Sequence, residues 1–79
     1  MNRGEELLTV LRGISSNHVA QALNSLTPGI DWRGCSKTSI ALDFNDDNHY
    51  RRLERVDLQQ LRRRALARQN KQPDWYTLP

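Results

Sequence analysis

Two stretches of this chain state where a helix must begin, and they constrain the fold more than anything else in it. In Ile14-Ser15-Ser16-Asn17-His18-Val19, Ser15 falls at the N-cap with Ile14 just before it and Val19 four positions beyond. A capping hydroxyl bonds a free N–H of the first turn, and an apolar pair at N′ and N4 closes over the cap as a hydrophobic staple. Val56-Asp57-Leu58-Gln59-Gln60-Leu61 repeats the arrangement, with Asp57 as N-cap, Gln60 at N3 and the pair Val56/Leu61 around it. Helices are therefore expected from Ser15 to about Leu26, stopped by Thr27-Pro28-Gly29, and from Asp57 to about Asn70. A shorter helix is expected over Glu5–Arg12, where Leu7, Leu8 and Leu11 share a face and Gly13 supplies a left-handed end.

Between these helices the pattern changes. In Lys37–Phe44 the residues Thr38, Ile40, Leu42 and Phe44 alternate with Lys37, Ser39, Ala41 and Asp43, which reads as a strand. Asn45-Asp46-Asp47-Asn48 is a turn cluster. Tyr50–Val56 then returns as a second strand to make a hairpin, or else Asn48 caps a helical turn with Tyr50 and Leu53 inward; the hairpin is the favoured reading. Ile30–Gly34 is ambiguous, with Trp32 assigned to the core. The expected fold is thus α+β in the order α-α-β-β-α. A helix-turn-helix-like N-terminal pair leads into a β-hairpin placed as a wing, then a basic C-terminal helix. Residues 1–72 form one compact domain and residues 73–79 an extended tail.

A chain of 79 residues buries a modest core, and its single cysteine, Cys35, permits no internal disulfide. A homodimer is expected on that account. One unpaired cysteine suits a reducing compartment, no apolar run approaches the ~18 residues of a membrane span, and Met1–Arg3 opens no secretory pattern, so the reading is cytoplasmic.

The charge is unevenly spread. Residues 50–79 hold eight cations against three carboxylates, residues 1–49 hold four against six, and Gly13–Ile30 holds none. Ten of the twelve cations are arginine, whose planar fork suits phosphate and carboxylate. That layout describes a surface for an anionic partner. The sequence contains no glycine-rich phosphate loop, no paired Cys-x-x-Cys and no HExxH, and its two histidines, His18 and His49, converge with no nucleophile. No catalytic residue, cofactor or metal is assigned; Asp43, Asp46, Asp47 and His49 match no calcium loop and read as a solvated turn.

The uncharged second helix presents Asn17, His18, Gln21, Asn24 and Ser25 outward, with Asn17, Gln21 and Asn24 at i, i+4 and i+7. About one residue in four is charged in an average domain, so a merely solvated face would carry Lys or Glu. Amide side chains pair bidentately with adenine edges. The leading expectation is a non-enzymatic, DNA-binding regulatory protein. In it Asn17, His18, Gln21 and Asn24 read bases, while Arg51, Arg52, Arg55, Arg62, Arg64 and Arg68 hold phosphates of duplex DNA. The alternative is a protein–protein interaction module, such as an inhibitor, adaptor or small assembly subunit in the style of phage accessory proteins. There the uncharged helix and the tail pair Trp75-Tyr76 dock a partner, and the arginines meet an acidic protein.

Overall fold

Lys37–Phe44, the expected strand, is a helix. Its Ser36 hydroxyl accepts from the Ser39 N–H at 3.1 Å, which caps the first turn. Ile40, Ala41 and Phe44 are buried at i, i+1 and i+4, and Leu42, which alternation would have placed beside Ile40 and Phe44, is 65% exposed. Eight residues satisfy both periods on paper; burial selects the helical one because the inward residues face another helix rather than a neighbouring strand. The expected second strand fails too: Arg51–Arg55 is a 3-10 helix that buries Leu53, while Tyr50 lies outside the described residues. No β-strand occurs among the described residues, so neither the α+β fold nor the hairpin wing stands.

The computed structural model describes residues 2–46 and 51–71. Its elements are α1 (Arg3–Val10), α2 (Ser16–Leu26), α3 (Lys37–Phe44), the 3-10 helix Arg51–Arg55 and α4 (Leu58–Gln69). Both anticipated caps form. Ser15 Oγ accepts from the His18 N–H at 3.3 Å, and Asp57 Oδ1 accepts from the N–H groups of Gln59 and Gln60 at 2.9 and 3.3 Å. Both staple pairs, Ile14 with Val19 and Val56 with Leu61, are buried. Helix α1 starts earlier than expected, because Asn2 Oδ1 accepts from the Glu5 N–H at 2.8 Å and brings Arg3 and Gly4 into the first turn.

The helices pack in two pairs. α2 lies against α4 and α1 against α3, with a smaller contact of α1 on α4. The turn after α1 is as tight as expected, with the Ile14 N–H reaching the Leu11 carbonyl at 3.1 Å. Even so, α1 and α2 find their main partners elsewhere, and the helix-turn-helix outline dissolves into this exchange. Lys37 secures α3 to the corner it leaves behind: its N–H donates to Ser16 Oγ and its Nζ to the Leu11 carbonyl, both at 3.3 Å. At the other end of the seam Gly4 donates its N–H to Asn45 Oδ1 at 2.8 Å. α1 and α3 therefore run antiparallel.

Trp32 fills the centre, only 2% exposed, with its ring centroid 6.5 Å from that of Phe44. Its indole N–H donates to Thr27 Oγ1 at 2.9 Å, and that hydroxyl donates onward to the Leu23 carbonyl at 2.7 Å. Burying an indole removes roughly 150–250 Å² from water, worth up to about 5 kcal/mol. Arg3 closes the structure from the far side. Its guanidinium donates to the carbonyls of Leu53 and Val56, both at 2.9 Å, and stands 5.6 Å over the Phe44 ring. The sequences around Leu53 and around α1 are thereby joined across some fifty residues of chain. Among the described residues, no helix is long and apolar enough to cross a membrane.

Candidate nucleic-acid interface

The uncharged helix α2 and the arginine-bearing helix α4 are packing partners, so the two features that stood apart in the sequence meet in space. Gln69 fixes their relative register. Its Oε1 accepts from the Ser15 N–H at 2.8 Å and its Nε2 donates to the Gly13 carbonyl at 3.2 Å, which places the C-terminus of α4 beside the N-terminus of α2. The two helices are antiparallel.

Of the four residues expected to read bases, two remain on an open face. Asn17 and Gln21 are exposed and one turn apart. His18 is half-buried, with Nδ1 2.5 Å from Ser15 Oγ, so its ring belongs to the cap of its own helix. Asn24 is half-buried and its Oδ1 accepts the Trp32 N–H at 2.8 Å. That bond ties the loop after α2 to the helix and gives Asn24 a structural role. Ser25, also on the outward list, turns its hydroxyl back to the Ala22 carbonyl at 2.7 Å.

The arginines sort in the same way. Arg55 and Arg62 are exposed, whereas Arg64 and Arg68 are half-buried, with Nε of Arg64 enclosed. Arg63, which is not among the expected phosphate contacts, is exposed as well. At 100° per residue it stands nearly opposite the buried line Leu58, Leu61 and Ala65, which is the signal that finds it. Arg51 and Arg52 fall within the 3-10 helix; their side chains, and the tail pair Trp75-Tyr76 together with residues 73–79, lie outside the described residues.

Arg3 and Arg33 are already engaged. Arg33 pairs with Asp31 at 2.8 Å on an exposed loop, and the guanidinium bonds hold the Asp31 carboxyl below its usual range while raising Arg33. Arg3 is committed to backbone carbonyls. A groove of about 420 Å³ opens between Asn2, Arg3, Phe44 and Asn45, but its polar side chains already bond the protein: Asn2 and Asn45 accept backbone N–H groups, and Arg3 donates as above. Asp47 and His49 of the acidic turn lie outside the described residues, and no group of three or more His, Cys, Asp or Glu side chains suited to a metal ion occurs among the described ones. Cys35 is half-buried and free.

What the arrangement offers chemically is exposed amides on α2, and exposed guanidinium groups on its packing partner α4 and on the 3-10 helix before it. Neither family models, nor curated proteins, nor solved structures give a match to the chain.

Proposed function

We propose that this protein binds duplex DNA as a small non-enzymatic regulator through the α2–α4 pair. The observation that carries the reading is the packing of a helix without charge against one whose segment, Arg51–Lys71, holds eight cations and two carboxylates. Arg55, Arg62 and Arg63 supply phosphate contacts, since each is exposed. Asn17 and Gln21 supply the base contacts, as uncharged groups able to donate and accept at once. The wing and the readers His18 and Asn24 drop out of the scheme.

The test is fluorescence anisotropy on random duplex DNA across a salt series. Each phosphate neutralised adds about −0.9 to the slope of log affinity against log salt. Replacing Arg62 and Arg63 together by alanine is expected to flatten that slope by about 2 and to weaken binding on every sequence. Gln21→Ala is expected to leave the slope alone and to relax preference at one position. Absence of binding at low salt, or a double arginine variant that binds as the parent does, would overturn the reading and direct the search to an acidic protein partner.

A further inference from the structure

Ala67 is buried on the side of α4 that faces away from the other helices. The inward line of α4 is Leu58, Leu61 and Ala65, and at 100° per residue Ala67 stands about 120–180° from each of them. It is nonetheless 1% exposed, and it stands outside the contiguous core that the other buried apolar side chains form. Its surroundings behave in the same way. Gln60 and Arg64 fall within about 60° of Ala67 around the helix; both are half-buried, and Nε of Arg64 is enclosed. Arg68, on the adjoining flank, is half-buried and engaged. Arginine stems can lie over apolar neighbours, but Arg63 is exposed and Arg64 itself needs a cover. Neighbours on the same helix therefore do not account for the burial.

The cover comes from this chain, since the burial is that of a single molecule. α2 meets α4 on the inward side, where Gln69 bonds Ser15. Met1 and residues 47–50 belong to the far end of the molecule, where Asn45 bonds Gly4 and Arg3 bonds the Val56 carbonyl just before α4 begins. Residues 72–79 follow directly on the last turn of α4. Lys71, which precedes them, has φ of +59°, the left-handed conformation that ends a helix and turns the chain off its axis; its N–H closes on the Arg68 carbonyl at 3.1 Å. Measured back from Gln69 along the axis, Ala67 lies at about 3 Å and Gln60 at about 13.5 Å. Eight extended residues span up to about 26–29 Å, ample for a return along that length. Their chemistry fits as well. Trp75, Tyr76 and Leu78 supply apolar area, and Asp74, the one charge of the segment, is opposite in sign to Arg64 and Arg68.

We infer that residues 72–79 turn back after Lys71 and dock along the Gln60–Arg64–Ala67 strip of α4, with Trp75 over Ala67 and Asp74 facing Arg68. The inference uses none of the residues assigned to DNA contact under the proposed function and stands without it. Docked in this way, the segment withholds Trp75 and Tyr76 from a foreign groove and Arg68 from phosphate.

Acrylamide quenching of tryptophan emission in the full chain tests it. Trp32 is 2% exposed and provides a shielded reference, and subtracting the emission of a Trp75→Phe variant leaves that of Trp75. In the parent, Trp75 is expected to be quenched about threefold or more weakly than N-acetyltryptophanamide, because a docked tryptophan is largely though seldom completely buried. Ala67→Arg fills the strip and is expected to bring Trp75 to the quenching of the free amide, with circular dichroism showing the helices intact. The parent measurement decides even where that variant loses its fold. Three results would each overturn the inference: a parent whose Trp75 is quenched as freely as the amide, a helical Ala67→Arg protein in which Trp75 stays shielded, or shielding that disappears on dilution, which assigns the segment to a second copy.

Discussion

Gly4→Ala is a substitution whose sign separates local preference from packing. Alanine in place of glycine inside a helix normally stabilises by up to about 1 kcal/mol. Here the added methyl would sit 2.5 Å from the Ala41 carbonyl oxygen and 2.6 Å from Asn45 Nδ2, where ordinary contact begins at 3.4 Å. The seam between α1 and α3 must open by about 0.9 Å to admit it. Overpacking of this kind costs about 1–3 kcal/mol. Opening also stretches the 2.8 Å bond from the Gly4 N–H to Asn45 Oδ1, adding about 1 kcal/mol. Against the propensity gain, the net loss is about 2 kcal/mol, a fall in melting temperature of roughly 8–16 °C for a domain of this size. Thermal and urea melts followed by far-ultraviolet circular dichroism measure it. Asn45→Ala provides the control: it removes the amide from the clash but leaves the Ala41 carbonyl, so the double variant is still expected to melt below Asn45→Ala alone. A Gly4→Ala protein as stable as the parent, or more so, refutes the packing argument outright.

The remaining predictions concern side chains whose function and structure the fold has separated. Asn24→Ala removes the acceptor of the Trp32 N–H and is expected to cost about 1–2 kcal/mol in a urea melt while leaving the sequence preference of DNA binding unchanged; a shifted preference with unaltered stability would return Asn24 to base reading. Asp57→Ala strips two N–H groups at the start of α4 of their acceptor and is expected to lower stability by about 1 kcal/mol in the same melts, with a loss below a few tenths showing that solvent serves the cap equally well.

How much of this was legible beforehand depends on how far along the chain the deciding contact lies. Ser15 and Asp57 were readable as caps because the hydroxyl or carboxylate and the N–H groups it serves are within three residues of each other. The stop at Thr27-Pro28-Gly29 was readable for the same reason, and Gly29 indeed has φ of +95°. Lys37–Phe44 was misread because Ile40, Leu42 and Phe44 fit a period of two, while Ile40, Ala41 and Phe44 fit a helix equally well. Ser36 was the overlooked local signal, a cap of the same kind as Ser15. Arg3 and Gly4 could not be read at all. Their partners, Leu53 and Val56 for one and Ala41 and Asn45 for the other, are set by the tertiary pairing of helices. The candidate site suffered from a similar limit: helical spacing put Asn24 on the same stripe as Asn17 and Gln21, but only the return of the loop to Trp32 shows that its amide is occupied.

That division has a consequence for how the molecule can change. The contacts that order the core run through Trp32, Thr27, Asn24, Arg3, Gly4 and Gln69, and several of them are polar side chains bonded to backbone groups with definite geometry. Substituting any of these leaves a donor or acceptor unmatched, which is costly whatever the chain does. Asn17, Gln21, Arg55, Arg62 and Arg63 project from exposed positions, and isolated surface changes of that sort usually alter stability by less than about 0.5 kcal/mol. These exposed amides and guanidinium groups can therefore vary without endangering the fold, whereas the bonded polar residues that resemble them in type cannot. Under the proposed function, partner recognition and stability fall to the same few residue types, and measurements on one set can be read without correction for the other.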